Sequence, residues 1–176
     1  MKRGFTLIEL LVGIAVFSLI LGSVIGIFIS AIQLQRDFLK KQQVLNQLSF
    51  AIEYMSRALR MARREDGTFN CLPEDFNYDN PGGTISKIRF INHLQGDDCQ
   101  EFFLEGGSLK YKKGIGSTEE TYPLTLPGLV IEELKFKLQG ESSADNLQPR
   151  VTIFLKIGSP LKIELQTTIS QRNLDI

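Results

Sequence analysis

The chain has 176 residues, of which 43% are hydrophobic and 23% charged. Its 20 basic and 20 acidic side chains cancel, so net charge gives no reason to expect nucleic acid or an acidic membrane as a partner. This length fits one domain, or one domain with an appendage, and the composition argues against wholesale disorder. Two cysteines are too few for a disulfide scaffold or a four-ligand structural zinc site.

Charge and turn-forming residues are distributed unevenly along the chain. Residues 1–64 hold 9 Lys or Arg and 3 Asp or Glu, whereas residues 65–176 hold 11 and 17. All six prolines lie between Pro73 and Pro160. The sequence therefore predicts an apolar and then basic N-terminal segment, followed by an acidic, turn-rich domain.

Residues 10–32 form a run of 23 residues without a charge. A helix of that length is roughly 35 Å long, enough to cross a hydrocarbon core of about 30 Å. Its serines, Ser18, Ser23 and Ser30, can donate to carbonyls of their own helix. The run is too long for a secretory signal peptide and no small-x-small cleavage site follows it. A plain membrane anchor remains an alternative.

The first twelve residues, MKRGFTLIELLV, place Glu9 directly before this run, where an ionisable side chain is costly unless it has a partner. The string resembles the class III signal of type IV pilins and pseudopilins, a short basic leader ending in glycine and followed by phenylalanine. The resemblance implies that prepilin peptidase cuts between Gly4 and Phe5 and that Phe5 is then N-methylated. It also implies that Glu9, with Thr6, serves subunit assembly.

Cleavage would leave a positive amine on Phe5 in apolar surroundings, where a lone charge is penalised and an opposite charge is attracted strongly. We therefore hypothesise that Glu9 accepts the Phe5 amine of an adjacent subunit, a contact that the entry of Glu9→Ala into pilus fractions would test. Gly22 and Gly26 form a G-x-x-x-G pair. They are either a close helix-packing site or ordinary transmembrane glycines, and both interpretations stay open.

Basic residues flank the apolar run on both sides, so charge alone does not fix its orientation. Lys2 and Arg3 precede the run, and Arg36, Lys40 and Lys41 follow it. The leader motif decides: it places the N-terminus in the cytoplasm and residues 33–176 outside it.

Beyond residue 32 the apolar residues fall at helical spacing, and no proline or glycine occurs between Gly26 and Gly67. The sequence predicts one helix over residues 5–64, roughly 90 Å long. Residues 5–32 would form its transmembrane segment and residues 33–64 an amphipathic half that packs on the following domain. The apolar stripe comprises Leu34, Phe38, Leu45, Leu48, Ile52, Met55, Leu59 and Ala62.

Four arginines stand near the predicted end of this helix: Arg57, Arg60, Arg63 and Arg64. A favourable interaction with the helix dipole and a solvated face accounts for them, and contact with an acidic neighbour in a filament is the alternative.

Residues 65–176 have the texture of strands and turns. Six strands are predicted, at residues 85–91, 99–105, 109–112, 129–138, 151–157 and 161–169. Gly106-Gly107, between the second and third of them, predicts a hairpin connection. Short strands with tight turns favour antiparallel pairing, so we expect a sheet packed on the amphipathic half-helix in an α+β, pilin-like fold. Phenylalanines would supply much of the core: Phe69, Phe76, Phe90, Phe102, Phe103, Phe136 and Phe154.

The acidic domain offers few candidates for chemistry. Cys71 and Cys99 could form a disulfide outside the cytoplasm, or remain two unpaired thiols. Residues 75–80 resemble the start of a calcium loop, but the glycine and the final glutamate of that pattern are missing, so a solvated acidic turn is the better interpretation. His93 is expected on a surface or loop. No catalytic motif occurs, and we expect no enzyme activity, metal or cofactor.

The helix end at residues 52–62 and the strands at residues 134–136 and 165–169 resemble minor pilins of the W and J kind. The resemblance implies a filament subunit precursor, with residues 1–4 as its leader and residues 65–176 as an extracytoplasmic domain. Its partners would be prepilin peptidase, other pilins, an inner-membrane platform protein and an assembly ATPase. Secretion, DNA uptake, adhesion and motility all stay open. Two other classes of protein also stay open: a signal-anchored binding protein that never polymerises, and an anchored enzyme with an unrecognised site in the sheet domain.

Overall fold

The computed structural model describes residue 4 and residues 6–114, 119–142, 147–159 and 162–172. One long helix, α1 (Leu7–Arg60), is followed by eight strands. The chain divides into two compact units, residues 1–43 and residues 44–176. The predicted α+β class, a long apolar N-terminal helix packed against antiparallel sheet, is confirmed. The strands are β1 (Ala62–Arg63), β2 (Lys87–Asn92), β3 (Asp98–Glu105), β4 (Ser108–Lys113), β5 (Glu120–Pro123), β6 (Val130–Gln139), β7 (Arg150–Ser159) and β8 (Ile163–Ser170).

Helix α1 ends four residues before the predicted end at residue 64. The cause is strand β1, in which Ala62 pairs with Asn92 and Arg63 with Ile91. Because Ala62 and Arg63 pair with β2, they adopt strand conformation and do not continue the helix. This tertiary pairing overrides the helical preference of the local sequence. The chain therefore enters the sheet directly from the helix.

The buried face of α1 lies within residues 44–60 and is rotated from the predicted stripe. Leu48, Met55 and Leu59 are buried as expected, but Leu45 is 44% exposed. The remaining buried positions are Val44, Ala51 and Ala58. Two of these positions are alanines, which a search for large apolar residues at helical spacing does not single out. Leu34 and Phe38, also assigned to the stripe, are exposed.

Two antiparallel sheets take the place of the single predicted sheet. One has the strand order β1-β2-β3-β4-β5 and the other β6-β7-β8. All six predicted strands are present, with boundaries shifted by up to two residues. Strands β1 and β5 were missed because they are short and carry little apolar periodicity. The hairpin between β3 and β4 turns at Gly106 and Gly107, both with positive φ, as their sequence predicted.

The helix and both sheets share one core. Phe90, Phe102 and Phe136 are fully buried in it, and Phe103 is buried nearby, as predicted. Phe154 is instead half-buried on β7, because Val151, Ile153, Leu155 and Ile157 occupy the inward face of that strand. Phe69 and Phe76 pack on a second, smaller cluster built on Cys71, Leu72, Ile91 and Cys99.

Candidate functional site: the N-terminal helix and its boundary

The N-terminal end of α1 is defined by Thr6 and Glu9. The Glu9 backbone N–H donates to Thr6 Oγ1 at 3.4 Å. In return, Glu9 Oε2 accepts from Thr6 Oγ1 at 3.3 Å and from the Thr6 N–H at 3.5 Å. This reciprocal arrangement is a capping box, which satisfies donors that would otherwise have no partner in the first helical turn. The helix therefore starts at Leu7, after the predicted cleavage site.

This capping role of Thr6 was not among the roles predicted for it. The pattern of threonine followed three residues later by glutamate, directly before an apolar run, is visible in the sequence and is the known signal for such a cap. Gly4 is exposed and precedes the helix. Phe5 lies outside the described residues, so the predictions of cleavage before it and of its N-methylation stay predictions.

Glu9 is exposed, and among the described residues Thr6 is its hydrogen-bond partner. A carboxylate has room for further donors beyond those of its own cap. The Glu9 carboxylate is thus held at the start of α1 and can accept further hydrogen bonds. Its assignment to subunit assembly remains a prediction.

Residues 7–43 of α1 lie at the surface, and the uncharged residues 10–32 among them form a continuous apolar stretch. Every residue of this stretch is exposed except the half-buried Ile32. Leu7, Leu19 and Ile27 are each more than 70% exposed. The helix is long and apolar enough to cross a membrane by length and composition. So large an apolar surface is not stable in water and needs lipid or protein to cover it.

Polar groups within the apolar stretch are satisfied by the helix itself. Ser23 Oγ donates to the Leu19 carbonyl and Ser30 Oγ to the Gly26 carbonyl, both at 3.0 Å. This confirms the expectation for these two serines, and it removes the cost of placing their hydroxyls in hydrocarbon. A methyl group added at Gly22 or Gly26 would meet no atom within 4 Å. Their face of the helix is open, and packing there remains a prediction.

The segment after α1 is organised by a buried carboxylate. Glu65 is 1% exposed and accepts four backbone hydrogen bonds, from the N–H groups of Gly67, Phe69, Cys71 and Leu72 at 2.9–3.3 Å. Burial raises the pKa of Glu65, but the four donors together outweigh it and hold the pKa below its ordinary value. No sequence pattern indicates this buried carboxylate, because its donors are backbone groups of a loop.

Cys71 and Cys99 form a disulfide in this region, with their Cα atoms 5.6 Å apart. That separation lies within the range that such a bond requires. The bond ties the loop after α1 to the start of β3, where the sequence analysis left a disulfide and two free thiols both open.

Three of the four arginines near the helix end pair with acids of the same chain. Arg57 pairs with Glu53, and Arg63 with Asp97 at 3.0 Å. The third is Arg64, whose Nη1 lies 4.0 Å from Asp75 Oδ1. These contacts favour the interpretation of a solvated, locally paired surface over a reserved contact for an acidic neighbour.

The acidic turn at residues 75–80 and His93 are also engaged locally. Asp75 faces Arg64, and the backbone of Asp79 pairs with Arg89 in an isolated bridge. Within the described part of the chain, no group of three or more His, Cys, Asp or Glu side chains is arranged to hold a metal. His93 is partly exposed, and its Nδ1 lies 2.9 Å from Asp97 Oδ1.

The comparison with known protein families agrees with the N-terminal geometry. Residues 1–25 match the prokaryotic N-terminal methylation motif. The chain thus carries the N-terminal signal of type IV pilins and pseudopilins, on a pilin-like α+β fold. Comparisons with curated proteins and with solved structures gave no match. A prepilin-type signal followed by an exposed apolar helix indicates an inner-membrane-anchored, structural protein.

Proposed function

We propose that this chain is the precursor of a structural subunit of a type IV pilus or pseudopilus, and a minor subunit of the W or J kind. In this proposal prepilin peptidase cuts between Gly4 and Phe5, and Phe5 is N-methylated. The mature chain then leaves the membrane and joins a helical filament through its N-terminal helix. Residues 33–176 lie outside the cytoplasm throughout.

The observation that carries the proposal is the methylation motif placed directly at the start of a helix whose N-terminal segment is apolar and exposed. The Thr6–Glu9 cap starts the helix at Leu7, which leaves Gly4 outside helical structure and open to a peptidase. The apolar residues of 7–43 need a cover, and lipid before assembly and neighbouring helices after assembly would both supply one. Head-to-tail repetition of such a contact generates an open filament.

Glu9 takes a second role in the assembled form. In the single chain its carboxylate caps its own helix through Thr6. After cleavage, the amine of Phe5 on an adjacent subunit is the natural further partner, because a carboxylate and an ammonium in apolar surroundings stabilise each other and neither is tolerated alone. Their pairing would also set the axial register between subunits.

The remaining partners follow from the proposed pathway. They are prepilin peptidase, other pilin or pseudopilin subunits, an inner-membrane platform protein and an assembly ATPase. A disulfide between Cys71 and Cys99 is in keeping with an oxidising compartment for the acidic domain. Identifying these partners would show whether the filament serves secretion, DNA uptake, adhesion or motility.

The identity of the N-terminus tests the proposal. The protein is extracted from membranes of a host with prepilin peptidase and of the same host without it, and its mass and terminal peptide are measured. We expect a chain that begins at methylated Phe5 in the first host and at Met1 in the second. A chain that keeps residues 1–4 in both hosts contradicts the proposal and favours the signal-anchored binding protein.

A further inference from the structure

We propose that Glu65 is a positioning residue for the bond between Cys71 and Cys99: its carboxylate holds the loop that carries Cys71 in bonding position before the bond forms. A disulfide oxidant then completes the bond in an already folded domain. This role is independent of the proposed function, because it concerns only the fold of residues 44–176. The structure fixes the two cysteines in different ways.

Cys99 is held by the five-stranded sheet. It lies in β3, directly opposite Ile91 of β2. Its carbonyl accepts from the N–H of Gly114, the residue after β4, at 2.9 Å. Neighbours on both sides therefore fix its backbone. None of these contacts involves Cys71, so we expect Cys99 to keep its place in the reduced protein.

Cys71 lies outside the strands, in the loop between β1 and β2. Its N–H donates to Glu65 Oε2 at 2.9 Å, and the Leu72 N–H donates to the same oxygen at 3.3 Å. Glu65 Oε1 accepts from the N–H groups of Gly67 and Phe69 at 3.1 and 2.9 Å. Within the described residues, no backbone hydrogen bond joins this stretch of the loop to a strand. The Glu65 carboxylate is therefore the main polar anchor of Cys71 apart from the disulfide.

Glu65 can serve as an anchor because its own backbone is fixed. Its N–H donates to the Phe76 carbonyl at 2.9 Å, and its carbonyl accepts from the Asp75 N–H at 3.0 Å. It stands two residues after β1, which pairs with β2 in the sheet that also contains Cys99. The carboxylate thus connects the loop that carries Cys71 to this sheet without using the disulfide.

The separation of the two cysteines along the chain makes this positioning matter. They are 28 positions apart, and bringing the ends of an unordered segment of that length together lowers its conformational entropy. Because Glu65 orders the loop beforehand, little of that entropy remains to be lost when the bond forms. The two thiols of the reduced protein therefore face each other at a high effective concentration.

The chemistry is thiol–disulfide exchange. One cysteine thiolate attacks a sulfur of the oxidant disulfide and releases a thiol, and the second cysteine then attacks the mixed disulfide and releases the other thiol. Overall the two cysteines lose two electrons and two protons, and the oxidant takes up both as it becomes two thiols. The second attack requires the two side chains to be within reach of each other. Glu65 favours this step.

The equilibrium between the disulfide and the two thiols tests the role of Glu65. The full chain in detergent at pH 7 is equilibrated with reduced and oxidised dithiothreitol, and its free thiols are alkylated and counted by mass. Glu65→Gln keeps the size of the side chain, but its amide NH₂ replaces one acceptor oxygen and leaves two of the four N–H groups without a partner. We expect its equilibrium constant for disulfide formation to be lower by roughly tenfold or more. A wild-type constant would overturn the proposal.

Two control variants separate positioning from a general loss of stability. Glu74→Gln removes an exposed carboxylate of the same loop and should keep the wild-type constant. Thr125→Val removes the hydroxyl that accepts from the Leu109 N–H at 3.1 Å, at the end of β4 away from Cys99. Both redox forms lose that bond equally, so this constant should also be unchanged. Equal decreases in Thr125→Val and Glu65→Gln would overturn the proposal.

The double variant Cys71→Ser/Cys99→Ser tests whether the loop is ordered without the disulfide. We expect the amides of Gly67, Phe69 and Leu72 to stay protected from hydrogen exchange in this variant, because Glu65 still accepts from them. Adding Glu65→Gln to the double variant should remove that protection. Amides that exchange at unfolded-chain rates in the double variant itself would show that the disulfide orders the loop, and would overturn the proposal.

Discussion

Gln171 and Ala62 are joined by a hydrogen bond of 2.7 Å between the Gln171 side-chain Nε2 and the Ala62 carbonyl oxygen, across 109 positions of the chain. The same Nε2 donates to Asn77 Oδ1 at 3.0 Å. Both bonds are buried, and they fasten the residue after β8 to the strand that follows α1. The closing strand is thereby fixed to the point where the helix becomes sheet.

Replacing Gln171 by leucine should destabilise the domain formed by residues 44–176. The side chain keeps its size, but the Ala62 carbonyl and the Asn77 amide oxygen lose their donor in a buried setting, at a cost of about 1–3 kcal/mol. Urea unfolding of the full chain in detergent, followed by tyrosine fluorescence, measures the loss. Gln139→Leu, on an exposed strand position, is the control, and equal midpoints for the two variants would contradict this role.

Glu65 should make the same domain sensitive to acid. Its folded-state pKa lies below the ordinary value of 4.5, so the charged carboxylate contributes stability that is fully present above that pH. The contribution is lost as the pH falls through the folded-state pKa. Glu65→Gln should lower stability at pH 7 by about 2 kcal/mol and flatten the acid limb of the stability curve.

The matched control for Glu65 is Glu74→Gln, a substitution of an exposed acid in the same loop. It should leave both the stability at pH 7 and the acid limb unchanged. An acid limb of Glu65→Gln that coincides with that of the wild type would show that the bonds to the loop N–H groups do not stabilise the charged form.

The disulfide should account for a sizeable part of the stability of the domain. Its cysteines are 28 positions apart, and closing a loop of that length restricts the unfolded chain by about 3–4 kcal/mol in the chain-entropy description. The double variant Cys71→Ser/Cys99→Ser should have a lower urea midpoint of unfolding. A reductant should lower the midpoint of the wild type and leave that of the double variant unchanged. Tryptic maps before and after reduction should reveal a linked peptide, whose absence would exclude the bond.

The capping box should be visible in local helix stability. Thr6→Val removes the hydroxyl that accepts from the Glu9 N–H, while Thr6→Ser keeps it. Hydrogen exchange of the full chain in detergent should show that the free energy of local opening at the Glu9 amide is about 1 kcal/mol lower in the valine variant and unchanged in the serine variant. Identical exchange in both variants would mean that the cap contributes nothing to helix start.

The sequence predicted the parts of this structure that depend on long, periodic patterns. The apolar run, six strands and the Gly106-Gly107 turn are all visible without tertiary information. The end of α1 was misplaced, because Ala62 and Arg63 become strand only through pairing with β2. Local preference cannot anticipate a partner that lies 30 residues along the chain.

At the candidate site, the sequence predicted the N-terminal motif but not the hydrogen bonds and packing around it. Glu9 was singled out by its position, yet its bond to Thr6 required the capping pattern to be recognised. The role of Glu65 could not be predicted from the sequence, since its hydrogen-bond donors are backbone N–H groups that only the folded loop brings together. The buried face of α1 is rotated from the predicted one because Ala51 and Ala58 face the core. Alanine is only weakly hydrophobic and contributes little to an apolar periodic pattern.

Assembly of the chain into a filament through Glu9 can be measured on filaments sheared from cells. Wild type, Glu9→Ala and the control Glu53→Ala, an exposed acid further along the same helix, are compared for cleavage and for recovery in the sedimented filament fraction. We predict that all three are cleaved, that wild type and Glu53→Ala enter the filaments, and that Glu9→Ala stays in the membrane. Recovery of Glu9→Ala in filaments at the wild-type level would show that assembly does not depend on the Glu9 carboxylate.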